Sequence, residues 1–217
     1  MPVGDRVPFL LLASASPRRA ELLRAVGLSF QVWAGAGEEE TWGVLPSDPQ
    51  ARSAQGALHA GWTLEAVRTR ARAAALRKAR PAVDAHPDAV VIAADTMVVV
   101  DDVVLGKPST PDEAGTMLRR LSGRTHHVTT GVVVAHGRRA VELADDSVTA
   151  VRFRTLRDDE ILRYVATREP MDKAGAYGIQ GRAALFVERV EGDYFGVVGL
   201  PLVSLARLLD SVGVQMI

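Results

Sequence analysis

Strands and helices are interleaved along this chain, and several strand pairs are joined by tight polar turns. Phe9 to Ala13 is a short apolar run that reads as a buried strand. Ser14-Ala15-Ser16-Pro17 then opens a helix, with Ser16 placed to cap it and Pro17 at the first helical position, where a missing N–H is harmless. Leu22, Leu23 and Val26 form its apolar stripe and Gly27 stops it. Gly35 to Gly61 reads as a long loop, and Thr63 to Arg80 as a helix ending before Pro81. Ala89 to Ala94 is a strand that closes on Asp95-Thr96, and Met97–Val100 and Val103–Leu105 flank the hairpin signal Asp101-Asp102. Thr110-Pro111-Asp112-Glu113 is a capping box whose helix stops at Ser122-Gly123. His127–Ala135 and Val141–Phe153 alternate as strands, and Thr155 to Asp158 caps another helix. Glu169 to Gly181 is a glycine-rich loop. Leu185–Val190 and Tyr194–Val198 read as a strand pair, and Pro201 starts a last helix to Leu209. This order predicts an α/β fold with a mixed sheet and flanking helices, not a doubly wound parallel one.

The composition is that of a globular chain. Of 217 residues, 47% are hydrophobic and 24% charged, which excludes a disordered, collagen-like or coiled-coil protein. Lys and Arg (26) balance Asp and Glu (26), so there is no global electrostatic argument for nucleic-acid binding. With no cysteine there is no disulfide, thiolate metal site or cysteine nucleophile, which suits the cytoplasm. No apolar run approaches the ~20 residues of a membrane span. Ala13-Ser14-Ala15 has the form of a signal-peptidase site. The apolar run before it is short for a leader, however, and Asp5 offsets Arg6.

Five segments carry possible chemistry. Ser14-x-Ser16-Pro17-Arg18-Arg19 puts two hydroxyls and two guanidiniums at a helix N-terminus, a phosphate cradle or else a capped surface helix. Asp95-Thr96 places a carboxylate where a buried strand ends, fit to hold a metal or orient water, or else a turn residue. Gly106-Lys107-Pro108 fixes one of only three lysines, or is a plain hairpin exit; no run fits the P-loop pattern. Asp172 to Gly181 pairs close-approach glycines with Lys173 and with Gln180, whose amide matches a base edge. Glu38-Glu39-Glu40 offers Mg²⁺ ligands or a solvated acidic run. His126 and His127 read as structural. Lys78, deep in an Arg- and Ala-rich helix, reads as incidental, and Arg70 as a helix residue able to point inward.

Together these segments, with Leu121-Ser122-Gly123-Arg124-Thr125-His126 and Val198-Gly199-Leu200-Pro201, resemble the Maf family of nucleoside triphosphate pyrophosphatases from about Leu10 to Leu209. The resemblance implies a single two-lobed domain over residues 1–217, akin to inosine triphosphatases, with the active site in a central cleft. It implies hydrolysis of a nucleoside triphosphate to monophosphate and pyrophosphate with Mg²⁺ or Mn²⁺, and a homodimer in the cytoplasm with no nucleic-acid or membrane partner. Asp95 matches the catalytic carboxylate, and Lys107, a matching pocket position, is expected to be catalytic with it. Arg18, Thr96 and Gln180 match positions of substrate choice in the dTTP/UTP branch. Ser14, Arg19 and Lys173 match further pocket positions, and Glu39 with Asp95 the metal ligands. Two departures stand out: Arg70 where many members carry a helix lysine, and a longer region from Gly43 to Gly61 that would lengthen a lobe or cover the cleft. The alternatives are a broader or modified-nucleotide pyrophosphatase, and a nucleotide-binding regulator of septum formation.

Overall fold

The computed structural model describes residues 9–33, 35, 57–58 and 63–216. The elements run β1 (Leu10–Leu12), α1 (Pro17–Ala25), β2 (Gln31–Val32), β3 (Ala57–Leu58), α2 (Leu64–Ala85), β4 (Val90–Val100) and β5 (Val103–Leu105), then α3 (Pro111–Leu121), β6 (Thr125–His136), β7 (Val141–Phe153), α4 (Asp158–Ala166), β8 (Val187–Glu191), α5 (Tyr194–Val198) and α6 (Leu202–Asp210). The strands form one sheet in the order β2-β1-β4-β6-β7-β8, with β5 on the β1 side of β4 and β3 on β5. The β1–β2 and β1–β4 pairs are parallel and the others antiparallel, so the sheet is mixed, as the sequence predicts.

Side-chain alternation along β4 assigns its two faces. Val90, Ile92, Ala94, Val98 and Val100 join the larger core with Leu22 and Leu23 of α1, Leu118 and Leu121 of α3, Ile161 of α4 and Leu205 and Leu209 of α6. Val91 and Ala93 meet Ala75, Ala79 and Ala82 of α2, and Met97 and Val99 meet its Val67 and Ala71. The alanine stripe lets α2 lie low on the sheet. At Gly131 of β6 a Cβ would overlap the backbone of Ala71 and Arg72, so glycine is what permits the approach.

Several boundaries differ from the sequence expectation. β4 does not end at Ala94 but runs through Asp95-Thr96 to Val100. β6 supports it without a break from Val91 to Val99. On the other edge β1 stops at Ile92 and β5 begins only at Val98. The two polar residues thus sit mid-strand, at a gap in the sheet. Helix α2 passes through Pro81, because Ala82 is buried against the sheet and its carbonyl accepts from His86 N–H at 2.9 Å. Tyr194–Val198 is helical, not a strand. Thr149 Oγ1 accepts from Asp193 N–H at 2.9 Å and donates to Asp193 O at 3.0 Å, turning the chain off the sheet before residue 194. Among the described residues no helix is long and apolar enough to cross a membrane.

Candidate active site

The gap in the sheet opens into a cleft of about 260 Å³. β1 delivers the chain to its rim, and the following residues, Ser14 to Arg19, form one wall. Pro17 occupies the first turn of α1 as expected. Ser16 stands at the N-cap, but its side chain makes no capping bond; instead its N–H donates to Ser14 Oγ at 3.2 Å. β4 supplies Asp95 and Thr96, the β5–α3 connection Lys107, and the loop after α4 Asp172, Lys173, Tyr177 and Gln180. The structure therefore brings together Ser14, Arg18, Arg19, Asp95, Thr96, Lys107, Lys173 and Gln180 from four distant stretches of chain. Glu39 lies outside the described residues, as does most of the Gly43–Gly61 region.

The cations of this cleft are held in different ways. Arg19 is buried and knitted into the frame: its Nε donates to Gly199 O at 2.8 Å, one terminal nitrogen to Ser14 Oγ at 3.0 Å and the other to Thr96 Oγ1 at 3.3 Å. Thr96 Oγ1 in turn lies 3.0 Å from Thr130 Oγ1, whose hydroxyl donates to Gly196 O at 2.7 Å. Arg18 reaches Asp172 at 3.3 Å, and Lys173 Nζ donates to Asp172 at 2.6 Å and to Glu169 O at 2.7 Å. Burial pushes the Asp172 carboxyl up, but Lys173 and Arg18 outweigh it and hold the group below its ordinary value. Lys107 is exposed and makes no hydrogen bond or ion pair among the described residues. Gln180 is exposed on the facing turn with its amide likewise uncommitted.

Asp95 is 3% exposed and points to the α2 side of the sheet. Its Oδ1 accepts from Lys78 Nζ at 2.6 Å, while its Oδ2 is buried with no protein partner among the described residues. Lys78, read from the sequence as incidental, lines the cleft and holds Asp95. The helix cation at the cleft is Lys78, not Arg70, which does not line it. The signal was present: Ala71, Ala75, Lys78 and Ala82 recur at helical spacing on the buried stripe of α2, where a lysine needs a partner.

Asp95 and Asp172 are the two carboxylates lining the cleft among the described residues. Both oxygens of Asp172 are engaged by cations, and among the described residues no group of three or more carboxylates or histidines is placed to cage a metal ion. The orphaned Oδ2 of Asp95 fits a divalent cation that takes its remaining ligands from phosphate oxygens and water, as Mg²⁺ commonly does.

The Maf-like protein family model matches residues 9–212, almost all of the chain. The chain belongs to the Maf family. Among its relatives, a dTTP/UTP pyrophosphatase of Moorella thermoacetica is 49% identical over 95% of this chain and 96% of that protein. Two others carrying the same name, from Symbiobacterium thermophilum and a Geobacillus species, are 47% and 45% identical, each over 94% of this chain and over 94% and 98% of their own lengths. Of the segments that carried the resemblance, Ser14 to Arg19, Asp95-Thr96, Lys107, Asp172 to Gln180 and Val198-Gly199 reach the cleft, and Leu121 to His126 does not. His126 stands apart. It is buried, its Nε2 is 2.8 Å from Tyr177 Oη, and it packs edge-on against Phe153 and Tyr177. It serves the core.

Proposed function

We propose that this Maf protein hydrolyses nucleoside triphosphates, dTTP and UTP foremost, to the monophosphate and pyrophosphate. The observation that carries the reading is Asp95. A buried carboxylate with one oxygen fixed by Lys78 and the other uncommitted faces Arg18, Arg19, Lys107 and Lys173 across one cleft. That is a general base or metal ligand opposite a polyanion site. The shared name of relatives at 40–49% identity supports the substrate class.

In this reading the triphosphate lies along the cations and the N-terminus of α1, whose dipole favours negative charge. Lys107, without a partner among the described residues, closes on a phosphate, and Arg18 and Lys173 exchange Asp172 for phosphate oxygens. Arg19, held by three acceptors, acts as a fixed positive wall. Asp95 Oδ2 orients a water and takes its proton as the water oxygen attacks the α-phosphorus; the α–β bridging P–O bond breaks and pyrophosphate leaves. Lys78, through its bond to Oδ1, keeps Asp95 aimed. A divalent cation bound at Asp95 would offset charge on the phosphates and the leaving group. Gln180 meets the base, its amide supplying the donor and acceptor that a uracil or thymine edge complements.

The test is product analysis with the common triphosphates and inosine triphosphate, on the wild type and Asp95→Asn. Monophosphate plus pyrophosphate from dTTP and UTP is expected, with kcat lowered ~10²–10⁴-fold in the variant. Release of single phosphate, or a variant as active as the wild type, would refute the assignment.

A further inference from the structure

The turn that carries Gln180 is tied at both ends to one carboxylate. Gly181 N–H donates to Gly178 O at 3.0 Å and closes the turn. Ile179 is buried in the core and Gln180 stands out toward the cleft. Behind the turn lies Glu169, half-buried. Its Oε1 accepts from the Tyr164 hydroxyl at 3.0 Å, and that hydroxyl oxygen accepts from Gly178 N–H at 3.3 Å. Its Oε2 accepts from Arg182 N–H at 3.2 Å. A Cβ on Gly181 would overlap the same carboxylate, so glycine lets the turn close down on it. Burial, and then the charge of Glu169, raise the Tyr164 pKa, which keeps its hydroxyl a donor.

We propose that Glu169 is a positioning residue for base selectivity: by holding Arg182 directly and Gly178 through the Tyr164 hydroxyl, it fixes where the Gln180 amide stands. The proposal rests on the reading that Gln180 meets the base. A turn flanked by two glycines is soft, and a soft amide swings or flips to suit more than one base. Discrimination by hydrogen bonding requires that the mismatched base leave groups unpaired, which only a fixed partner enforces. The carboxylate does not reach the anionic end. Lys173 Nζ donates to the Glu169 main-chain oxygen, which side-chain substitution leaves in place. The effect therefore falls on the base and spares the phosphates.

The experiment measures kcat and KM for dTTP, UTP, CTP, ATP and GTP, and inhibition by inorganic pyrophosphate, in the wild type, Glu169→Ala, Glu169→Gln and Tyr164→Phe. Each lost bond to a charged acceptor is worth about tenfold. The dTTP-over-ATP ratio of kcat/KM is thus expected to fall about tenfold or more in Glu169→Ala, chiefly through KM. Glu169→Gln, able to keep one tie, falls between, and pyrophosphate inhibition is unchanged. Tyr164→Phe cuts the Gly178 tie alone and decides the matter if Glu169→Ala does not fold. A wild type that prefers dTTP and UTP beside variants that lose activity equally on every base overturns this inference and leaves the active-site reading standing. A wild type with no pyrimidine preference overturns that reading and this inference with it.

Discussion

Arg19 and Lys107 are both cations of the same cleft, yet they differ in what their removal costs. The Arg19 guanidinium satisfies Ser14 Oγ, Thr96 Oγ1 and Gly199 O in a buried setting. Arg19→Ala leaves buried acceptors unpaired, a penalty of about 1–3 kcal/mol for such a group. It should lower both the melting temperature and triphosphate affinity. Lys107→Ala removes a side chain with no partner among the described residues, so the melting temperature should hold while triphosphate affinity falls about tenfold. Calorimetry beside nucleotide titration checks the pair; equal destabilisation by the two variants contradicts the division of labour. The sequence names both residues but not this difference, because spacing reveals which residues share a segment and not what their head groups touch. Thr96 illustrates the same point. Its hydroxyl lies between Arg19 and Thr130, a pair of contacts that spacing along the chain does not reveal.

At the scale of elements, α2 is seated on a row of three residues crossing the sheet. Asp95, Gly131 and Asp146 stand opposite one another on β4, β6 and β7. Lys78 meets Asp95. Arg68 and Arg72 meet Asp146 at 2.8 and 2.7 Å, where the Asp146 side chain is 1% exposed. The hydrogen bond to Asp146, and then its charge, raise the Arg68 pKa. Gly131 between them is where the helix backbone comes down. Gly131→Ala should lift the helix, at a cost of about 1–3 kcal/mol as overpacking. It should also move Lys78 away from Asp95, so that kcat falls more than triphosphate affinity. A variant that loses stability while keeping kcat would separate the helix seat from catalysis. The helices α1, α3, α4 and α6, and most of the sheet, were legible from caps, periodicity and turn residues, because those signals are local. The extension of β4 through Asp95-Thr96, the continuation of α2 past Pro81 and the helical Tyr194–Val198 were not. In each case a distant partner decides: β6, the sheet under Ala82, and Thr149.

For the molecule as a whole, His126 sets how stability responds to acid. Burial, and then the neighbouring charge of His127, push its imidazole down to about 3 in the folded protein. It sits neutral among Phe153 and Tyr177 on the β6 face that meets the large core. In the unfolded chain an imidazole takes up its proton near 6.5. The folded state refuses that proton until about pH 3, so the unfolded state binds more protons across the interval. The stabilisation is therefore fully present above about 6.5 and is lost as pH falls toward 3, at roughly 1.4 kcal/mol per pH unit. Asp159 and Glu160 of α4 are also held down, to about 2, first by hydrogen bonds from Arg157 and Arg154 respectively. Their ordinary values of 3.8 and 4.5 confine their contribution to more acid solution. Between pH 6.5 and 5 the slope should thus carry the His126 contribution apart from theirs. Denaturant unfolding of the wild type and His126→Gln at pH 7, 6 and 5 measures it. The variant starts lower, having lost the Tyr177 contact, but its stability should decline less steeply, by about the slope of one proton. Parallel slopes in the two proteins would mean that some other group takes up the proton on unfolding.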